Sequence, residues 1–165
     1  MNLTPDDLQR ARDIGLFGGL GDDVLQAFVG ALEVRELTPG TVVFREGECG
    51  RELYVLFEGE IEVLRRSKQG HETRMAILGP GDWFGEMSVL DILPRSATTR
   101  ALAPCRLLRL TAHELDGLYR RDTKSYALLV LNVAREISRR LRVADGLLAD
   151  MVTNVMDEYT RRRAI

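Results

Sequence analysis

Hydrophobic positions change period twice along the chain, from helical to strand-like near residue 33 and back to helical near residue 111. Thr4-Pro5-Asp6-Asp7 reads as a helix start: a capping hydroxyl, proline at the first helical position, then acids in the first turn. That helix turns Leu8 and Ala11 inward and stops near Ile14-Gly15. Leu16-Phe17-Gly18-Gly19-Leu20 is a glycine-broken turn, and Gly21-Asp22-Asp23 opens a second helix carrying Val24, Leu25, Phe28, Val29 and Leu32. Short apolar or alternating runs rich in β-branched and aromatic residues follow, at Val34–Leu37, Thr41–Phe44, Leu53–Phe57, Glu60–Leu64 and Thr73–Leu78. Two more stand at Thr98–Ala103 and Cys105–Leu110, split by Pro104. Turn residues separate the runs, including Pro39-Gly40, Gly59, Gln69-Gly70 and Gly79-Pro80-Gly81. Short strands punctuated in this way predict a sandwich or small barrel over residues 33–110. Tyr54, Phe57 and Trp83 are expected in its core.

Thr111, with Glu114 three residues on, forms a capping box for a helix over Ala112–Tyr119, and Asp122-Thr123 breaks it and caps the next. Val130, Ala134, Ile137, Leu141, Ala144, Leu148, Met151 and Val155 then alternate at spacings of four and three, with Arg135, Arg139, Arg140 and Arg142 outside the seam. A sustained heptad seam pairs with a copy of itself, so a parallel homodimer through residues 130–155 is expected. A helix of ~30 residues spans ~45 Å, more than a small barrel can cover. Asp145-Gly146 is its weak point, since glycine costs about 1 kcal/mol in a helix interior, and it is a candidate hinge. The expected division is 1–32 as a helical entry, 33–110 as the β core and 111–165 as helices that form a lid and a dimer interface.

Composition narrows the chemistry. Of 165 residues, 45% are hydrophobic and 29% charged, with a net charge of −2, so there is no general electrostatic drive towards nucleic acid. No run approaches the ~18 apolar residues of a membrane span, and Met1-Asn2-Leu3-Thr4-Pro5-Asp6-Asp7 carries no signal-peptide pattern. Cys49 and Cys105 are isolated, and His71 and His113 lie at no ligand spacing from them, which argues against a metal site or disulfide and for a reducing cytoplasm. No nucleophile is paired with a base, so no catalytic residues are assigned and the chain reads as a non-enzyme.

The stretch Gly79–Ala101 carries the chemistry that remains. Gly85-Glu86 supplies a glycine where backbone can approach a ligand, then a carboxylate; Met87 to Leu90 is long enough for one helical turn; Pro94-Arg95-Ser96-Ala97 supplies a guanidinium and a hydroxyl. Unpaired backbone N–H groups at a helix start, with an arginine fork nearby, suit a phosphate. A carboxylate beside them suits a sugar hydroxyl on the same ligand.

Phe84-Gly85-Glu86-Met87-Ser88 and Pro94-Arg95-Ser96-Ala97-Thr98 closely resemble the phosphate-binding cassette of cyclic nucleotide-binding domains, at that family's common spacing. Leu37 to Val63, with its Pro39-Gly40 and Glu46-Gly47-Glu48 turns, is similar to the family's first sheet. The resemblance covers about residues 14–143. It implies an eight-stranded jelly roll (a double-stranded β-helix), mainly β with flanking helices, with the cassette at 84–98 held between two strands. It also implies that Glu86 binds the ribose 2′-hydroxyl, and that Arg95, Ser96 and backbone N–H groups near Gly85, Glu86 and Ala97 hold the cyclic phosphate. Met87 and Ser88 complete the ligand-binding set. The ligand it implies is cAMP or cGMP, with no further cofactor. In related dimers the long helix closes over the base, making Ile77, Arg142 and Asp145 candidate base contacts. The family's catabolite activators carry hydroxyl residues where this chain has Ala144-Asp145, and that carboxylate accepts two hydrogen bonds from a guanine edge or one from an adenine amino group. Ser96 leans towards cAMP.

The expectation is therefore a stand-alone, dimeric cyclic nucleotide sensor, cAMP ahead of cGMP, signalling through its C-terminal helix to an effector protein. The alternative is a protein–protein interaction module that keeps the fold and binds no nucleotide. DNA binding through the helix and the terminal arginines Arg161, Arg162 and Arg163 ranks lower, because no reader helix follows.

Overall fold

Two four-stranded antiparallel sheets carry the fold of the computed structural model, which describes residues 4–163, with side chains for most positions from 4 to 154. The side chains of the terminal arginines and of Val155, and the Met1–Leu3 part of the leader reading, lie outside what is described. Helices α1 (Pro5–Asp13) and α2 (Asp22–Val29) come first, separated by a 3-10 turn at Gly15–Phe17. The strands are β1 (Glu33–Leu37), β2 (Val42–Phe44), β3 (Glu52–Glu58), β4 (Ile61–Arg66), β5 (Glu72–Leu78), β6 (Trp83–Phe84), β7 (Thr98–Ala101) and β8 (Cys105–Thr111). Helix α3 (Met87–Leu90) lies between β6 and β7, and α4 (Ala112–Arg121) and α5 (Thr123–Arg163) follow β8. One sheet has the order β1-β8-β3-β6 and the other β2-β7-β4-β5, the jelly-roll arrangement.

The interior is built by alternation. Phe44, Tyr54, Leu56, Ile61, Phe84, Ala101, Cys105 and Leu107 form one buried cluster drawn from both sheets. Tyr54 stacks on Phe84 at 5.6 Å between centroids, and Phe44 packs against both. Tyr54, Phe57 and Trp83 are buried, as their place in the apolar runs predicts. At the β3–β4 turn Gly59 has φ 92°, and a side chain there would meet the Pro104 carbonyl oxygen at 2.3 Å. Only glycine fits that corner.

Helix α1 begins at Thr4, whose hydroxyl accepts from the Asp7 amide at 3.3 Å while the Asp7 carboxylate accepts from the Thr4 amide at 2.7 Å. The same carboxylate takes Arg106 of β8 in a two-pronged pair at 2.5 and 2.8 Å. Its side chain is 2% exposed. Hydrogen bonding from Arg106 holds the Asp7 pKa down to about 2, against the upward push of burial.

Two compact units divide the chain, residues 1–129 and residues 130–165. In the second, α5 runs on through Gly146, so the expected weak point does not interrupt the helix. The Asp122 carboxylate caps α5, accepting from the amides of Lys124 and Ser125. Leu141, Ala144, Leu148 and Met151 of the seam are exposed on α5. No helix among the described residues is long and apolar enough to cross a membrane.

Three element expectations change. The strand expected over Thr98–Ala103 ends at Ala101, because Leu102 to Pro104 turn the corner into β8. The helix after Thr111 runs two residues beyond Tyr119. β6 went unpredicted, since two residues have no readable period.

Candidate functional site

The cassette is assembled by β6, a left-handed glycine and one turn of helix. β6 pairs with β3 through Tyr54↔Phe84 and Val55↔Trp83, which delivers Gly85 beside the start of β3. Gly85 has φ 86°, and a side chain on it would stand 2.8 Å from Arg95 Nη1, 3.0 Å from the Glu52 carbonyl and 3.3 Å from the Phe44 ring. Both the dihedral and the crowding demand glycine. Helix α3 starts two residues later, and Asp91 ends it by donating its amide to the Met87 carbonyl. Ile92 then takes φ 59°, a left-handed conformation unusual for a β-branched residue.

Arg95 is the centre of the arrangement. Its side chain is 2% exposed, with the guanidinium carbon 4.0 Å from the centroid of the Phe44 ring. Nη1 donates to the Glu52 carbonyl at 2.7 Å, to the Gly85 carbonyl at 3.0 Å and to the Ser88 hydroxyl at 2.7 Å. Three acceptors therefore share its two protons. Nη2 stands 3.3 Å from Glu52 Oε1, within ion-pair reach, yet it is buried without a hydrogen-bond partner. The surroundings are close: a side chain on Gly50 would meet Nη2 at 2.6 Å. The main chain is held as firmly, since the Arg95 amide donates to the Glu48 carbonyl at 2.8 Å and the Gly47 amide to the Arg95 carbonyl at 2.9 Å.

A buried cation needs counter-charge and acceptors, or its burial costs several kcal/mol. Glu52 supplies the charge and carbonyls supply acceptors, but Nη2 keeps unused donor capacity. That is the chemistry of an anion site, with planar donors fixed in direction before a ligand arrives.

Most other expected site residues lie around this centre. Glu86 is buried directly after Gly85. Ser88 is buried and bridges, accepting from Arg95 and donating to the Gly85 carbonyl at 3.1 Å. Ala97 is buried, while Met87 and Ser96 are exposed, with the Ser96 hydroxyl 3.6 Å from the Met87 sulfur. Ile77 is not gathered with them. It pairs with Glu62 on the face of its sheet opposite Ile61 and Ala101, and is half exposed. Arg142 and Asp145 are exposed on α5 in the second unit. Sequence reasoning missed Phe44, Gly50 and Glu52. Gly50 stands in a glycine-rich turn, a usable signal, whereas Glu52 opens an apolar strand with nothing local to mark it.

Residues 34–122 match the cyclic nucleotide-binding domain family. The CRP-like cAMP-activated global transcriptional regulator of Mycobacterium tuberculosis is 32% identical over 139 residues, 84% of this chain and 60% of that one. The cyclic AMP receptor protein of Thermus thermophilus is 35% identical over 130 residues, 79% of this chain and 58% of that one. The crystal structure of the Thermus thermophilus catabolite activator protein superposes with a TM-score of 0.74 at 34% identity, covering 84% of this chain and 63% of that one. The chain thus spans about 60% of the length of the curated relatives it matches. A jelly roll with a glycine-framed, buried arginine in its cassette, together with these matches, settles membership: the chain belongs to the cyclic nucleotide-binding domain family.

Proposed function

We propose that this chain is a cyclic nucleotide sensor that binds cAMP in preference to cGMP and reports ligand state through α5 to a partner protein, as a homodimer through residues 130–155. The observation that carries the reading is the buried Arg95 with its unpartnered Nη2. A cyclic phosphate oxygen would give Nη2 its acceptor and compete with Glu52 for the guanidinium. Ser96 and the backbone N–H groups of Gly85, Glu86 and Ala97 complete the phosphate site, and Glu86 takes the ribose 2′-hydroxyl. The preference for cAMP draws support from the relatives, two of which are named for cAMP. Asp145 and Arg142 are assigned to the base on sequence resemblance alone.

Titration calorimetry with cAMP and cGMP tests the proposal. Wild type should bind cAMP with a micromolar or tighter Kd, roughly −8 kcal/mol. Arg95→Ala should lose about 1.5–3 kcal/mol or more, weakening binding by about 10- to 150-fold or more. Equal binding by that variant would disprove the site. Asp145→Ala should change the cGMP-to-cAMP ratio if this carboxylate reads the base. A second reading, an interaction module without nucleotide, is favoured by one observation: Nη1 of Arg95 is already fully engaged by Glu52, Gly85 and Ser88. No heat and no thermal shift with either nucleotide at millimolar concentration would put this reading in front.

A further inference from the structure

On the sheet β2-β7-β4-β5, alternation puts Glu62, Leu64, Thr98 and Arg100 on the face opposite Ile61 and Ala101. Beside Leu64 that face opens into a cleft of about 480 Å³, walled by the Arg45–Gly47 loop, the end of β4, the start of β5 and Thr98. None of Glu86, Arg95 or Ser96 lines it. Leu64, buried, forms part of its lining. Its loop wall is fixed: the Glu46 amide donates to the Thr98 hydroxyl at 3.0 Å, and the Glu46 carboxylate accepts from the Arg66 amide at 2.9 Å.

The charges of the lining are unequally satisfied. Glu46 is engaged as described, and Glu72 stands 3.9 Å from Arg100. Arg45, Arg65 and Arg66 line the same cleft, and among the described residues no carboxylate lies within ion-pair distance of their guanidinium groups. Arg45 and Arg66 therefore bring two cations from two chain segments to a space whose acids are already held, while Arg65, paired with Thr73, alternates to the other face. The volume is that of a small-solute site. Guanidinium forks match phosphate oxygens in pairs, so arginines on two separate chain segments suit a ligand that offers a phosphate group to each.

We propose that this cleft binds a small soluble ligand carrying at least two phosphate groups, separately from the cassette. Inorganic pyrophosphate is the probe, titrated calorimetrically into the full chain at low ionic strength. The expected result is saturable binding with a Kd of about a millimolar or tighter, and about tenfold weaker binding of inorganic phosphate. The double variant Arg45→Ala/Arg66→Ala, which alters exposed side chains only, should weaken pyrophosphate by about tenfold or more. Arg95→Ala should leave it unchanged. The proposal is overturned by absence of binding at about 10 mM pyrophosphate, by an unaffected double variant, by equal affinity for phosphate, or by loss of binding in Arg95→Ala, which would put the probe in the cassette.

Discussion

Arg95 and Glu52 form a pair whose two states have different needs. Without a competing anion, Glu52 offers Arg95 both a backbone carbonyl and its carboxylate. Glu52→Gln should lower the melting temperature by several degrees, because the buried guanidinium loses its counter-charge. Saturating cAMP should recover most of that loss, since phosphate supplies the missing charge. Thermal denaturation with and without nucleotide checks this; an equal deficit in both would mean that carboxylate and phosphate do not compete. Gly85→Ala combines a left-handed backbone with a 2.8 Å approach to Arg95 Nη1. It should cost about 1–3 kcal/mol in urea denaturation and impair ligand binding as well. An outcome within error of wild type would remove the argument that the cassette turn is sterically closed. Glu86, Ser88 and Arg95 could be read from their spacing, because the cassette is local in sequence. Glu52 could not, because its role is created by strand pairing that brings residues 43 positions apart together.

At the scale of elements, helix starts were the most legible features. Thr4 and Thr111 each have a side-chain cap and an acid three residues on, and both boxes form in the structure. Seven strands declared themselves by alternation and glycine corners, whereas β6 at Trp83–Phe84 exists only because β3 offers it an edge. The tether of α1 to β8 was likewise invisible, as Asp7 and Arg106 are 99 residues apart. Its consequence is a pH dependence. The folded pKa of Asp7 is about 2, below its ordinary value of 3.8, so the stabilisation is full above about pH 4 and is lost as pH falls towards 2. Urea denaturation should show about 2 kcal/mol lost across that window from this group. Asp7→Asn should be destabilised at neutral pH and should lack this component of the acid dependence; an unchanged profile would mean that the pair contributes nothing.

For the whole molecule, the exposed side chains of α5 frame the question of assembly. Leu141, Leu148 and Met151 are each about 60% exposed, on one stripe of a helix that continues through Gly146. Leu148→Asp should convert a dimer to a monomer in sedimentation velocity with little change in the far-ultraviolet circular dichroism of the jelly roll. A wild-type chain that is monomeric at high concentration would remove the dimer from the proposal. Seam spacing made this surface readable in the sequence, and continuity through Gly146 was not, because a single glycine costs less than the helix around it gains.

The two main-chain hydrogen bonds that join Arg95 to Gly47 and Glu48 have a consequence for how the cassette breathes. They pin the arginine end of the segment to the β2–β3 loop, while Met87, Leu90, Ile92 and Leu93 between the two ends remain exposed. Fluctuation should therefore concentrate in the middle of the cassette and leave Arg95 still. In deuterium labelling, the amides of Gly47 and Arg95 should exchange only on near-global opening, while that of Leu93, bonded to the exposed Asp91 side chain, should exchange early.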